Sequence, residues 1–169
     1  MNAILTAWNK ADEASAFDAM IACCSARRWA SAMVALRPIG SVVELSEATD
    51  RVWGTMKEAD WMEAFACHPR IGERKAAHAT AKSVAWSSQE QSSAASAAEQ
   101  MSAELAEGNA RYEARYGFTY IVCATGKSAE EMLAILKRRL LSDREAELIE
   151  AAEQQRQITQ IRLGKWLIE

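Results

Sequence analysis

Few residues in this chain can interrupt a helix, and that scarcity restricts the folds open to it. The 169 residues include only two prolines and seven glycines. Between these breaks, apolar residues recur at helical spacing, which is typical of amphipathic helices. The pattern predicts helices over residues 14–24, over residues 29–36 just before Pro38, and over residues 42–56.

Capping boxes mark the starts of three further helices. In this motif a serine at the N-cap accepts a hydrogen bond from the third helical residue, and a glutamate there bonds back to the serine. The pairs that fit are Ser87 with Glu90, Ser128 with Glu131, and Ser142 with Glu145. They predict helices over residues 87–116, 128–141 and 142–167. Gly117 is expected to close the first of them as its C-cap.

One segment departs from the helical pattern. The stretch FTYIVCAT, residues 118–125, is short and rich in β-branched and aromatic residues. It is interpreted either as an extended buried strip or as one helical turn. No other segment reads as its partner strand, so the sequence predicts an all-α fold. We expect a single-domain helical bundle of about seven to nine helices, with one domain over residues 1–169.

Charge and composition exclude several classes of function. The net charge of −3 and the pI near 5.6 give no basic surface for nucleic acid or an anionic membrane. No apolar run reaches the roughly 18 residues of a membrane span, and the start of the chain lacks a signal-peptide pattern. The four cysteines form no CxxC pattern and are expected to be small buried hydrophobes in a reducing compartment. We therefore expect a soluble cytoplasmic protein.

The stretch HPRIG, residues 68–72, holds one of two histidines beside one of two prolines. Proline disfavours the α region for the residue before it. His68 is therefore expected to leave a short helix over residues 61–66, which Asp60 is predicted to cap. An imidazole held on such a corner suits a general acid or base, because it titrates near neutrality. In the alternative interpretation the corner only ends the helix, and His68 caps its carbonyls.

The stretch WSSQEQ, residues 86–91, also has two interpretations. A capping box accounts for Ser87 and Glu90 as structure alone. A helix N-terminus can also bind an anion through its backbone N–H groups, and serine hydroxyls there can bind a polar ligand. If Glu90 faced His68, it would favour the imidazolium form of that side chain near pH 7.

Arg162 lies on the apolar stripe of the last predicted helix. Counting by threes and fours, the stripe consists of Leu148, Ala151, Ala152, Gln155, Ile158, Ile161 and Arg162. A buried arginine nearly always has a partner, most often a carboxylate. The partner could be Glu90, as a structural pair, or a carboxylate of a substrate held by two hydrogen bonds.

Other chemistries have little support in the sequence. His68 and His78 match no compact metal-ligand spacing, so no metal site is predicted. Cys123 with His68 could form a nucleophile pair, although no motif supports it. The glycines form no phosphate-binding or dinucleotide-binding motif, and no cofactor is predicted. The six tryptophans are interpreted as core anchors or as an oligomer interface.

Four motifs in order resemble the signature of one enzyme family. HPRIG, SSQEQ, NARYEARYGFTYIVCATG and QITQIRL are similar to the 2-oxo-4-hydroxy-4-carboxy-5-ureidoimidazoline (OHCU) decarboxylases of urate breakdown. The resemblance runs from LRPIGSVVEL to the last helix. It implies an all-helical protein, usually a homodimer, that works without a cofactor on a small ureidoimidazoline. The implied activity is that of a carboxy-lyase that releases (S)-allantoin and carbon dioxide.

The resemblance also implies which residues form the site. His68 matches the proton-donating histidine, and Glu90 and Arg162 match the other two catalytic positions. The substrate-binding positions implied by the motifs are Pro69, Ser87, Ser88, Gln89, Gln91, Thr119, Tyr120, Ile121, Val122 and Cys123. This chain has Tyr116 where the family commonly has phenylalanine.

Two other functions remain as alternatives. One is a helical interaction or scaffold domain, in which the caps and the His-Pro corner are purely architectural. The other is a related hydrolase or lyase acting on a similar ureido ring. Under the scaffold hypothesis, Arg162 is exposed or internally paired. Under the decarboxylase hypothesis, His68, Glu90 and Arg162 line one pocket near Thr119–Cys123.

Overall fold

The protein is described by a computed structural model that covers residues 2–71, 86 and 99–169. These residues contain eight helices and no strand, so the all-α prediction is confirmed. The helices are α1 Ala3–Lys10, α2 Glu13–Cys23, α3 Arg27–Ala35, α4 Val42–Trp53, α5 Glu58–Ala66, α6 Glu99–Tyr116, α7 Ala129–Arg139 and α8 Arg144–Trp166.

The chain divides into two compact units. The first unit runs to Ala64 and includes Arg156–Glu169, and the second unit is Phe65–Gln155. In the first unit, helices α1 to α4 pack against one another in chain order. In the second unit, α6 packs against α7. The assignment of residues 1–169 to one domain stays a prediction.

Most of the residues expected in the core are buried. Five of the six tryptophans are buried, namely Trp8, Trp29, Trp53, Trp86 and Trp166. Within the first unit, the rings of Trp8 and Trp166 meet edge to face at 6.1 Å. The cysteines are thiols, of which Cys67 is partly exposed and the others are buried: Cys23, Cys24 and Cys123. The interpretation of the tryptophans as core anchors is therefore confirmed for these five.

The capping box at Ser128 is confirmed as predicted. The backbone N–H of Glu131 donates to Ser128 Oγ at 3.1 Å, and the N–H of Ser128 donates to Glu131 Oε2 at 2.6 Å. Gly117 follows α6 with a φ of 81°, in the left-handed region that glycine adopts without strain. Its N–H donates to the carbonyl of Glu113 at 2.9 Å, so its role as the C-cap is also confirmed.

Two predicted caps are wrong, one by a single residue and the other by three residues. Helix α8 begins after Asp143, not Ser142, because the Asp143 carboxylate accepts the N–H of Ala146 at 2.9 Å. A carboxylate there also interacts favourably with the positive end of the helix dipole. Similarly, Asp60 does not precede α5 but lies in its first turn. Its carboxylate accepts the N–H of Lys57 at 2.9 Å, so the helix begins earlier than predicted.

One helix of the structure is not predicted from the sequence, and one predicted helix lies only partly within the described residues. The apolar pattern does not predict α1, which follows Asn2; the Asn2 side chain accepts the N–H of Leu5 at 3.0 Å. The capping box at Ser87 and the start of the helix predicted from it lie outside the described residues. The predicted end of that helix at Tyr116 agrees with the end of α6.

Candidate active site

His68 stands on a corner immediately after α5. The helix ends at Ala66, and the N–H of His68 donates to the carbonyl of Phe65 at 3.1 Å. Pro69 is buried, whereas the His68 side chain is partly exposed. The predicted departure of His68 from its helix is therefore confirmed. Its Nε2 atom lies 2.7 Å from Oε1 of Gln155, which belongs to α8.

Helix α6 holds the residues that follow His68. The guanidinium of Arg70 donates to both carboxylate oxygens of Glu113, at 2.6 and 2.7 Å. One turn earlier on α6, Nδ2 of Asn109 donates to the carbonyl of Ile71 at 3.4 Å. The geometry of the Arg70 pair is bidentate, which fixes direction better than a single contact. The corner is thus held in place by side chains of a different helix.

The FTYIVCAT segment is a buried strip that is neither helix nor strand. Thr119 is partly exposed, and the next residues are buried: Tyr120, Ile121, Val122, Cys123 and Ala124. Buried backbone groups need hydrogen-bond partners, and here side chains supply them. The N–H of Cys123 donates to Oε1 of Gln154 at 2.8 Å. The carbonyl of Ile121 accepts from Nη1 of Arg139 at 2.5 Å. These contacts explain how the strip is stabilised without a partner strand.

Gln154 and Gln155 connect the strip and the histidine to one turn of α8. Gln154 accepts from the strip at Cys123, and the next residue, Gln155, contacts His68. The carboxamide of Gln154 also donates to Glu150 Oε1 at 3.0 Å, which directs its own oxygen toward the strip. All of these groups belong to the second unit. His68 and the predicted substrate-contacting strip therefore form hydrogen bonds with two consecutive residues of α8.

A buried ion pair between Arg139 and Glu147 contacts the strip at the carbonyl of Ile121. Nε of Arg139 donates to Glu147 Oε1 at 2.5 Å, and the hydroxyl of Tyr112 donates to the same oxygen in a short hydrogen bond. The side chains of Arg139 and Glu147 are only 3% and 1% exposed. The guanidinium also lies over the ring of Tyr120, 5.0 Å from its centroid. Burial raises the pKa of both Tyr112 and Tyr120, so these hydroxyls stay neutral donors.

Sequence reasoning missed this ion pair. Arg139 stands next to another arginine, Arg138, and no sequence motif marks either of them as buried. Its position three and seven residues after the apolar residues Leu136 and Met132, on the buried face of α7, could have revealed it. The helical periodicity places Gln155 on the inward stripe but predicts no role for it.

Arg162 is buried, with 2% of its surface exposed. The other residues of its predicted stripe that lie inside are Leu148, Ala151, Ala152, Gln155 and Ile158. The predicted inward position of Arg162 is therefore confirmed. The scaffold interpretation in which Arg162 is exposed to solvent is wrong. Arg162 belongs to the first unit. Five predicted site residues lie outside the described residues: Ser87, Ser88, Gln89, Glu90 and Gln91.

Within the residues that the structure describes, no helix is both long and apolar enough to cross a membrane. In the same residues, no group of three or more histidine, cysteine, aspartate or glutamate side chains gathers in a way that could hold a metal ion. His78 lies outside them.

Comparison with known proteins gives concordant matches. A family profile described as OHCU decarboxylase matches residues 9–164. The chain is 35% identical over 144 residues to the uric acid degradation bifunctional protein TTL of Arabidopsis thaliana, covering 85% of this chain and 44% of that protein. It therefore spans less than half the length of this curated relative.

Two solved structures are similar in fold. A crystal structure of OHCU decarboxylase in the presence of (S)-allantoin matches with a TM-score of 0.75 and 30% identity, covering 88% of this chain and 96% of that one. A crystal structure of (S)-allantoin synthase matches with a TM-score of 0.71 and 17% identity, covering 96% of this chain and 53% of that one. The second likeness concerns the fold alone.

Proposed function

We propose that this chain, which belongs to the OHCU decarboxylase family, converts OHCU to (S)-allantoin and carbon dioxide in urate breakdown. The observation that carries the proposal is the joint attachment of His68 and the 119–123 strip to Gln155 and Gln154. These are the histidine and the backbone strip that the family resemblance assigns to the substrate. The similar OHCU decarboxylase structure, with which the match extends over nearly the whole of both chains, supports the same function.

The chemistry of the substrate requires little beyond binding and one proton. Its carboxylate is attached to a carbon beside a ring C=N bond. When the C–C bond to the carboxylate breaks, carbon dioxide leaves and the electron pair moves into that C=N bond. The substrate thus accepts the electrons itself, and we propose that no cofactor is needed. Catalysis then comes from orientation, from stabilising the electron-rich intermediate, and from placing a proton on one face.

Each catalytic residue has a separate role in this proposal. His68 donates the proton to one face of the planar intermediate and so sets the S configuration. Glu90 keeps the imidazole of His68 charged. Arg162 donates hydrogen bonds to an acceptor group of the substrate, or positions Glu90 or the ring. A tight clamp on the departing carboxylate would stabilise the ground state, which favours the second role for Arg162.

The remaining site residues bind the substrate around these three. Backbone groups of the 119–123 strip contact the ureidoimidazoline ring, as the family resemblance implies. The strip is neither helix nor strand, so no helix or sheet uses its backbone groups, and only the Cys123 N–H and the Ile121 carbonyl have side-chain partners described above. The other contacts are proposed for Pro69, Ser87, Ser88, Gln89 and Gln91. Together they exclude water and hold the ring in one orientation.

The test of this function is the enantiomeric excess of the product. OHCU decays without an enzyme to racemic allantoin, so loss of substrate alone is a poor readout. Fresh substrate is mixed with the purified chain, and circular dichroism follows the allantoin formed. We expect (S)-allantoin in large excess and at a rate above the uncatalysed decay. Racemic product at the uncatalysed rate would contradict the proposal and would favour the scaffold alternative.

We propose further that the protein is a cytoplasmic homodimer. The family resemblance supports the dimer, and the negative net charge gives no attraction to nucleic acid or an anionic membrane surface. Sedimentation equilibrium distinguishes a dimer from the 18.6 kDa monomer.

A further inference from the structure

We propose that Gln155 is a positioning residue that holds the imidazole of His68 in a single tautomer, with a hydrogen on Nε2, so that Nδ1 carries the proton given to the substrate. This inference deepens the proposed function and rests on it. It concerns a residue on α8 that contacts the histidine but is not itself expected to touch the reacting atoms.

The contact between the two side chains defines which nitrogen carries hydrogen. Oε1 of Gln155 lies 2.7 Å from Nε2 of His68. A carboxamide oxygen can only accept a hydrogen bond, so the contact requires N–H at Nε2. This holds for the neutral ring and for the imidazolium alike. The proton that the ring gains and loses is therefore the one on Nδ1.

Burial makes the contact persistent. Gln155 has no exposed surface, so water does not compete for its oxygen. Rotation of the ring away from Gln155 would break this buried hydrogen bond, which opposes the rotation. His68 itself is partly exposed. One edge of the ring is thus fixed on the protein while the side chain remains accessible.

The neutral charge of the amide suits this role. A second carboxylate at this distance, in addition to that of Glu90, would favour the imidazolium still more and would make the proton harder to release. An amide orients the ring without adding charge. In this arrangement Gln155 supplies the orientation, and Glu90 supplies the negative charge proposed above.

The neighbouring residue strengthens the case for positioning. Gln154 fixes the strip at the N–H of Cys123, at 2.8 Å, from the same turn of α8. Two consecutive residues of α8 therefore fix the position of the histidine relative to the strip. A displacement of about 1 Å between reacting groups can cost about 10²-fold in rate. Loss of the Gln155 contact should affect proton delivery even if the fold is intact.

The first test needs no substrate. The protein is labelled with ¹⁵N-histidine, and the ring nitrogens of His68 are recorded at a pH where the ring is neutral. A His78→Gln variant assigns the two histidines of the chain. We expect a protonated, pyrrole-type Nε2 and an unprotonated, pyridine-type Nδ1. A dominant Nδ1–H tautomer, or the unbiased mixture of a free imidazole, would overturn the inference.

The second test compares three variants of α8. Gln155→Met keeps the length and burial of the side chain but removes the acceptor. We expect it to lose the tautomer preference, to lower kcat about 10–100-fold with a smaller change in KM, and to lower the enantiomeric excess. Gln155→Glu keeps an oxygen acceptor and should retain the Nε2–H tautomer. Gln154→Met, the matched control, removes the contact with the strip and should leave the tautomer of His68 unchanged.

The outcomes separate this inference from the proposed function. Unchanged tautomer, kcat and enantiomeric excess in folded Gln155→Met would overturn the positioning role while the decarboxylase function stands. Racemic product from the wild-type protein would overturn the function, and the role of Gln155 in proton delivery would fall with it. If a variant fails to fold, the wild-type tautomer still decides the inference.

Discussion

Replacing His68 with asparagine is expected to lower kcat/KM by about 10²–10⁴-fold, the usual contribution of a positioned general acid. Asparagine keeps a polar group near the position of Nδ1 but cannot donate a proton at neutral pH. Oε1 of Gln155 loses its hydrogen bond with His68, which should cost about 0.5–1.5 kcal/mol of stability. A domain of this size should remain folded after such a loss. The measurement is steady-state kinetics on fresh substrate, with far-UV circular dichroism to verify the fold.

A matched control distinguishes the role of His68 from a general need for imidazole. His78 is the other histidine of the chain, and no catalytic role is proposed for it. His78→Asn is therefore expected to keep kcat/KM within about threefold of wild type, far less than a lost general acid costs. Near-normal turnover in His68→Asn would remove His68 from the mechanism. The product of that variant should also have a lower enantiomeric excess, because the uncatalysed reaction then contributes more.

Replacing Arg139 with methionine is expected to lower the free energy of unfolding by about 3–5 kcal/mol. The change leaves the Glu147 carboxylate buried without its cation, which is the most costly way to break such a pair. It also removes the donor to the carbonyl of Ile121 in the strip. Urea unfolding monitored by tryptophan fluorescence gives the free energy directly.

The adjacent arginine offers the control. Arg138 is exposed, so Arg138→Met should change the free energy of unfolding by no more than about 0.5 kcal/mol. Replacing Arg139 and Glu147 together with apolar residues should recover part of the loss, because no unpaired charge then remains. Recovery should be incomplete, since Tyr112 and Ile121 both lose a partner. Equal stability of Arg139→Met and Arg138→Met would contradict the structural role of the ion pair.

The features predicted correctly from the sequence depend on residues close together in the chain. The helix boundaries near Gly117 and Ser128 follow from cap chemistry within a few residues. The departure of His68 from α5 follows from the proline next to it. The burial of Arg162 follows from the periodicity of one helix. Where two cap-forming residues are neighbours, as at Ser142 and Asp143, local rules do not decide between them.

The features that were missed depend on distant residues. His68 and Gln155 are 87 residues apart, and Cys123 and Gln154 are 31 apart. No local pattern states which glutamine of an adjacent pair faces which segment. The strip could be read as extended or helical because its partners are side chains of other helices. Tyr116 illustrates the same limit: its hydroxyl lies 2.7 Å from the carbonyls of both Arg139 and Ser142, contacts that no spacing rule predicts.

A crystal structure of this protein with (S)-allantoin would show whether the proposed residues form one site. We expect one bound molecule in contact with the 119–123 strip. We also expect the imidazole of His68, the carboxylate of Glu90 and the guanidinium of Arg162 around that molecule, with polar atoms about 2.6–3.2 Å from it or from one another. Allantoin bound away from His68, or these three side chains on separate surfaces of the protein, would rule out the proposed site.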